Sequence, residues 1–351
     1  MATAYDVAAE AGVSVGTVSR YLTGNGYVSA AARERIAAAI STLGYIQNRA
    51  AASLTTKKTG LLGFVVSQLK NPFTAEVASA LGRAARARGY GVVLADSDGD
   101  PAQAIDAVER LRSHDVDGLV VTPPESPQYN EVLVALAQHL PVVGIGLRTE
   151  PAVTDMVTVD TRSGTEQAIN HLIELGHTRI AYIGSSTMAS GRYQGYLATL
   201  QAHDIALDPE LVLLGSLDRE AGYAATMTLL AHDRPPTAVF AANDAVALGV
   251  VQAAHRLGVP VPERLSVIGC DNLDLAAHAI PPLTTVAQPM SQLGELALEL
   301  LWQRLGDQPS SEPPRTVTLP SELVIRESCA PPSSPTTPPS ERTDHGQRSA
   351  S

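Results

Sequence analysis

The sequence is poor in cysteine. Its two, Cys270 and Cys329, lie far apart in 351 residues. Such a pair builds neither a disulfide framework nor a metal knuckle, and it points to a reducing, cytoplasmic compartment. Aromatic residues are also scarce, at 4% with one Trp and three Phe, and lysine occurs three times among 25 basic residues. No apolar run approaches the ~18 residues of a membrane-spanning helix, so no membrane partner is expected. The opening MATAYDVAAE carries Asp6 and Glu10 and no basic flank before an apolar core, unlike a secretory signal.

Signatures of catalysis are missing as well. There is no G-x-x-x-x-G-K-[ST] and no H-E-x-x-H. Gly144-Ile145-Gly146 begins like a dinucleotide fingerprint but lacks the third glycine. Asp98-Gly99-Asp100 lacks the rest of a calcium loop. The nine histidines are scattered; His171 and His177, six apart, share no helical face and are expected to cap or solvate helix ends. These gaps argue against an enzyme and against any cofactor or metal.

What is present is globular: 44% hydrophobic and 17% charged residues, enough chain for two or three domains. The net charge of -11 is unevenly spread. Residues 1–58 hold six basic and three acidic side chains, while the remainder holds 19 and 33. A basic head on an acidic body suggests an anion-binding module joined to something that is not one.

The head reads as three short helices. Thr3-x-x-Asp6 fits a capping box, Gly12 stops the first helix, and Ser14 caps a second from about 15 to 22. After Gly24-Asn25-Gly26, Ser29 caps a third, with Ile36, Ile40 and Leu43 at helical spacing. From Leu61 the pattern becomes short apolar strands alternating with amphipathic helices. Candidate strands lie at 61–67, 91–95, 118–122, 142–145, 179–183, 238–242 and 266–269, with helices at 75–88, 102–112, 162–175 and 245–257. The alternation predicts parallel sheets covered on both faces, and a break near 159–164 divides them into two subdomains with a cleft between. The tail, 329–351, is rich in proline and serine and is expected to be disordered.

Residues 4–22 have helix-turn-helix dimensions. With Val18 and Leu22 toward the core, Val15, Gly16, Ser19 and Arg20 face outward, with Thr17 beside them: small or hydrogen-bonding groups plus one guanidinium, able to approach base edges. Thr3, Tyr5, Ser14 and Asn25 sit near helix ends, where they would contact phosphates. The competing reading is an ordinary three-helix bundle.

Particular strings narrow this. YDVAAEAGVSVGTVSRYL (5–22), RERI (33–36), LGY (43–45), NRA (48–50), NPF (71–73), GHTRI (176–180), AND (242–244) and PPLTTV (281–286) resemble, in order and at family spacing, the lactose/galactose-repressor (LacI/GalR) family of bacterial transcription regulators. The resemblance covers residues 3–328. It implies an all-α helix-turn-helix head (three helices plus a hinge helix) at 1–47 and 48–60. An α/β core like periplasmic binding proteins follows at 61–328, split into an N-subdomain (61–160 and 290–315) and a C-subdomain (161–289 and 316–328).

By the same resemblance Asn48, Ala51 and Leu54 belong to a hinge helix, with Leu54 as a minor-groove wedge. The partners implied are a pseudo-palindromic double-stranded DNA operator, a second copy of the chain and a small effector, a sugar first of all. Phe73, Asp160, Arg192, Asn243 and Asp271 match the family's effector-contacting positions; the lesser alternative for Arg192 and Asp271 is a structural ion pair joining strand ends. Gly146, Thr74 and Leu217 depart from residues common in the family. They leave open a nucleobase or other small effector, or a regulator that responds to none. A solute-binding protein is the other rival, and the helical head where an export signal would stand argues against it.

Overall fold

The computed structural model describes residues 2–24, 26–45, 58–122, 126–146, 154–185, 190–305 and 312–333. Its first helices are α1 (Ala4–Ala11), α2 (Val15–Thr23) and α3 (Ala30–Leu43). Their beginnings follow from local chemistry. The Asp6 N–H donates to Thr3 Oγ1 at 3.3 Å while the Thr3 N–H donates to the Asp6 carboxylate at 2.7 Å, the reciprocal capping box. Ser14 Oγ receives the Thr17 N–H, and Ser29 Oγ the Ala32 N–H. At Gly12, φ is 61°, and its N–H turns back to the Ala8 and Ala9 carbonyls to close α1. Val7, Val18 and Ile36 are fully buried at the centre of this small core, packed with Ala8, Ala11, Val28, Ala32 and Ala39.

After Thr59 the chain builds two six-stranded sheets. The first contains β1 (Leu61–Val66), β2 (Gly91–Asp96), β3 (Gly118–Val121), β4 (Val142–Ile145), β5 (Asp155–Val159) and β11 (Thr316–Leu319), in the order β11-β5-β4-β3-β1-β2. The second contains β6 (Ile180–Ser185), β7 (Val212–Gly215), β8 (Ala238–Ala241), β9 (Ser266–Asp271), β10 (Thr284–Ala287) and β12 (Glu322–Val324), in the order β12-β10-β9-β8-β6-β7. Every neighbouring pair is parallel except β10 with β12. Strands such as β3 and β8 are buried on both faces, which is why they read as unbroken apolar runs.

Helices cover both faces of each sheet. On the first sheet α4 (Pro72–Ala87) and α12 (Met290–Leu305) share one core, and α5 (Pro101–Ser113) and α6 (Pro127–Ala137) the other. On the second, α7 (Thr161–Glu174) and α8 (Gly191–Ala202) lie on one side, α9 (Arg219–Leu230) and α10 (Asp244–Arg256) on the other. α9 and α10 cross closely: a methyl group added at Gly249 would stand 2.1 Å from the Arg219 carbonyl oxygen. The short α11 (Asp274–Ala277) follows β9. Among the described residues no helix is long and apolar enough to cross a membrane.

The chain passes between the sheets three times: at Asp160, at Gln288 and at 320–321. The first falls in the expected break. The third corrects the expected boundary near 315, because β11 pairs with β5 in register from Thr316↔Met156 to Leu319↔Val159 and so completes the first sheet.

The tail boundary also moves. Residues 329–333 are held on the body, with the Ala330 carbonyl bonded by His177 and Ser266 and the Ser333 hydroxyl bonded to the Glu263 carbonyl. Residues 334–351 lie outside the described residues. His177 itself caps nothing: it is 1% exposed, between Thr237 at 2.9 Å and Ser266 at 3.0 Å.

Candidate nucleic-acid face and ligand site

In the head, Gly16, Ser19 and Arg20 are exposed along one side of α2, Thr17 is half-buried beside them, and Val18 faces inward. Val15 is less free than expected, since it packs half-buried against the head core. Arg20 lies back along its own helix: Nε–H donates to the Gly16 carbonyl at 3.1 Å and NH2 to Thr17 Oγ1 at 3.4 Å. These bonds are solvent-exposed, so exchanging them for a base edge or phosphate costs little. Thr3 and Ser14 hold helix N-termini, and Tyr5 is 74% exposed beside the first. Asn25, Asn48, Ala51 and Leu54, with the expected hinge helix, fall outside the described residues.

The candidate ligand residues fall into three groups. Arg192, at the start of α8, and Asp271, at the end of β9, come together: NH2 stands 3.7 Å from Asp271 Oδ1. Arg192 Nε–H also donates to Cys270 Sγ at 3.4 Å, and Gln288 Nε2–H donates to the same Asp271 oxygen. Asp271 is 2% exposed and has a φ of 117°, a conformation L residues rarely adopt. Burial raises its pKa to about 7, with Arg192 opposing and Asp244 adding to the rise. Burial likewise keeps Cys270 a thiol, pushed up to about 12. The Tyr182 hydroxyl is buried near Arg192 and Ser190 without a hydrogen bond of normal geometry.

Asn243 stands at the neighbouring strand end, after β8, but both ends of its amide are occupied. Its oxygen accepts the Val246 N–H at 2.8 Å, capping α10, and its nitrogen donates to the Leu217 carbonyl at 2.9 Å. Asp160 and Phe73 stand apart from this cluster. Asp160 caps α7 through Ser163, and its backbone is clasped by Leu319 and Ser321 at the crossover. Phe73 begins α4 and packs into the core of the first sheet.

Sequence reasoning missed Gln288 and Asp244. Asp244 is fully buried, with its carboxylate taking the Thr285 hydroxyl at 2.6 Å and the Leu273 N–H at 2.7 Å. Those bonds brace the Asp271–Asn272 turn, and burial lifts the Asp244 pKa to about 6. Its position after Asn243 at a strand end was the available signal. Donors from Arg192 and the acceptor on Asp271 are gathered at the carboxyl end of β9 and the start of α8. Among the described residues no group of three or more His, Cys, Asp or Glu stands ready for a metal ion.

A family profile described as "Bacterial regulatory proteins, lacI family" matches residues 3–48, and one described as "Periplasmic binding protein-like domain" matches 169–329. The chain is 34% identical over 334 residues to the HTH-type transcriptional regulator DegA of Bacillus subtilis (strain 168), covering 94% of this chain and 98% of that protein. It is 34% identical over 308 residues to the ribose operon repressor of Escherichia coli (strain K12), covering 87% and 93%. The solved structure of the lac repressor dimer bound to operator and the anti-inducer ONPF is similar at TM-score 0.84 and 30% identity, over 94% of this chain and 99% of that one.

Proposed function

The chain belongs to the lacI family of bacterial regulatory proteins, and we propose that it is a homodimeric transcriptional repressor whose hold on its operator is set by a sugar. The head reads DNA: Gly16, Ser19 and Arg20 meet base edges in the major groove, Val15 and Thr17 shape the approach, and Thr3, Tyr5, Ser14 and Asn25 contact phosphates. Asn48, Ala51 and Leu54 form the hinge segment, with Leu54 the minor-groove wedge. One head offers few base contacts, so two heads on a two-fold-related operator supply useful affinity. The protein acts in the cytoplasm, beside the chromosome.

The sugar binds where Arg192 and Asp271 converge, guanidinium donating and carboxylate accepting, with Phe73 offering an apolar face from the other sheet and Asp160 at the crossover. Asn243 supports this site by fixing the Leu217 loop. The observation that carries the reading is the Arg192–Asp271 ion pair at 3.7 Å, beyond direct hydrogen-bond length, so that both groups keep hydrogen-bonding capacity for hydroxyls beside them. The effector changes operator affinity only through different affinities for two arrangements of the sheets, and ~1–3 kcal/mol of such coupling changes it roughly 5–150-fold. Release of DNA is the proposed direction.

The test is to select a duplex from a randomised pool with the full-length protein, measure its affinity at several salt concentrations, and repeat with a panel of sugars. A selected pseudo-palindrome that one sugar releases supports the proposal. A pool that never enriches overturns it, and a selected duplex indifferent to every sugar overturns the effector assignment.

A further inference from the structure

The chain enters the body at Thr59-Gly60, where one carboxylate collects the incoming backbone. Asp117, immediately before β3, accepts the Thr59 N–H at 2.8 Å, the Thr59 hydroxyl at 3.0 Å and the Gly60 N–H at 2.9 Å. The Thr59 hydroxyl also reaches the Asp115 carbonyl at 3.0 Å, and the Gly60 carbonyl accepts the Gly91 N–H at 2.9 Å. Gly60 turns the chain with a φ of 70°. Three strands of the first sheet are thus tied to the two residues that end the linker from the head.

Asp117 has a second neighbour. Tyr90 directly precedes Gly91, whose N–H is held by the Gly60 carbonyl, and burial, with the nearby Asp117 charge, raises its phenol's pKa. Tyr90 meets Trp302 edge to face, with ring centroids 5.4 Å apart at 88°. Arg88 lies over the Trp302 ring at 5.4 Å and pairs with Glu299 on the same helix. In a chain with one Trp and three Phe, the single indole stands at this junction.

Trp302 belongs to α12, whose 16 residues span about 24 Å. The residues leading into α12 are the Gln288 crossover, and the Gln288 amide bonds to the Asp271 carboxylate. The Gln288 carbonyl accepts the Met290 N–H at 2.9 Å, so the crossover and the helix are continuous. α12 packs in the first core through Leu293, Ala297, Leu298, Leu300 and Leu301. A close-packed helix moves as a rod, because such interiors do not deform continuously.

We propose that Asp117, Tyr90 and Trp302 are positioning residues for operator binding: they fix where the linker leaves the body and, through α12, tie that point to the crossover that contacts Asp271. Displacement of α12 at its Gln288 end shifts the Trp302 edge against Tyr90, and through the adjoining Gly91, bonded to the Gly60 carbonyl, it shifts the residues that Asp117 holds. This inference rests on the repressor reading.

The experiment uses full-length protein and a duplex selected by the wild type, with Trp302 emission as an internal reporter. A wild type that selects no duplex defeats the repressor reading, a result distinct from those that follow. Asp117→Asn keeps the shape but sets an amide N–H against a backbone N–H. It is expected to weaken the selected duplex about tenfold, roughly the loss of one charge-assisted hydrogen bond. Binding to an unrelated duplex should stay unchanged, and the melting temperature should fall by no more than a few degrees. Tyr90→Phe, which keeps the ring contacts, is expected to weaken it about threefold.

Adding the selected duplex should change Trp302 emission in the wild type and not in Asp117→Asn. If Asp117→Asn melts early, Tyr90→Phe decides. Binding within about twofold of wild type in the folded variants, or wild-type Trp302 emission indifferent to the duplex, overturns the inference.

Discussion

The Asn243 side chain joins two loops at once, donating to the Leu217 carbonyl at 2.9 Å while its oxygen caps α10. Its chemistry resembles that of a ligand donor, but the geometry makes it a brace. Asn243→Asp keeps a good N-cap and loses the donation, setting a carboxylate oxygen against the Leu217 carbonyl. A loss of about 1–3 kcal/mol in stability is expected, measured by denaturant unfolding with ligand absent.

Arg20 is expected to carry discrimination rather than general affinity. Arg20→Ala should cost roughly 1–3 kcal/mol on the selected duplex and relax the preference at one base position of each half-site. Repeating the selection with the variant checks this: an unchanged consensus at every position would place Arg20 on the phosphates.

Asp271 sets a pH dependence of stability. An acid whose folded pKa is raised from 3.8 to about 7 favours the folded state below 3.8, and that advantage is lost as pH rises through about 7. Asp244, raised to about 6, acts in the same direction. Asp271→Asn should therefore raise the melting temperature more above about pH 7 than below about pH 4, while sugar binding weakens. Melting curves across pH for both proteins provide the measurement.

His177 acts with the opposite sign. The Ala330 carbonyl only accepts, so Nε2 carries the proton and Nδ1 accepts from Thr237 at 2.9 Å. Burial lowers its pKa below 6.5, so its contribution is complete above 6.5 and declines as pH falls below that value. His177→Gln should flatten this acid limb and speed amide exchange at 328–333, seen by hydrogen-exchange mass spectrometry.

Two glycines should respond in opposite directions to the same methyl group. At Gly249 it meets the Arg219 carbonyl at 2.1 Å and the Tyr223 nitrogen at 2.8 Å, both backbone, so Gly249→Ala should cost about 3 kcal/mol. At Gly82, within α4, nothing lies within 4 Å, and Gly82→Ala should gain about 0.5–1 kcal/mol from helix propensity. Urea unfolding of both variants gives the comparison.

Much of the head was readable because capping chemistry is local: Thr3, Ser14 and Ser29 each lie three residues from the N–H they bind. The long apolar strands were readable for the same reason. What escaped depended on distance in sequence. β11 is a four-residue edge strand whose assignment to the first sheet is fixed only by β5, far upstream. His177 finds its Ala330 partner 153 residues away, and no local pattern announces that. At the candidate ligand site the Arg192–Asp271 ion pair matches the alternative reading of those two residues, whereas Gln288 and Asp244 enter through crossovers and turns that periodicity does not mark.

The path of the chain between the two sheets also governs the order of events during synthesis. The DNA-reading bundle is contiguous and can fold once its own residues have left the ribosome. The first sheet, though begun at Leu61, waits for α12 and β11, and the second waits for β12 at Glu322–Val324. A premature stop anywhere in that stretch therefore releases a folded head joined to an unfinished body, in which neither sheet has its full set of strands.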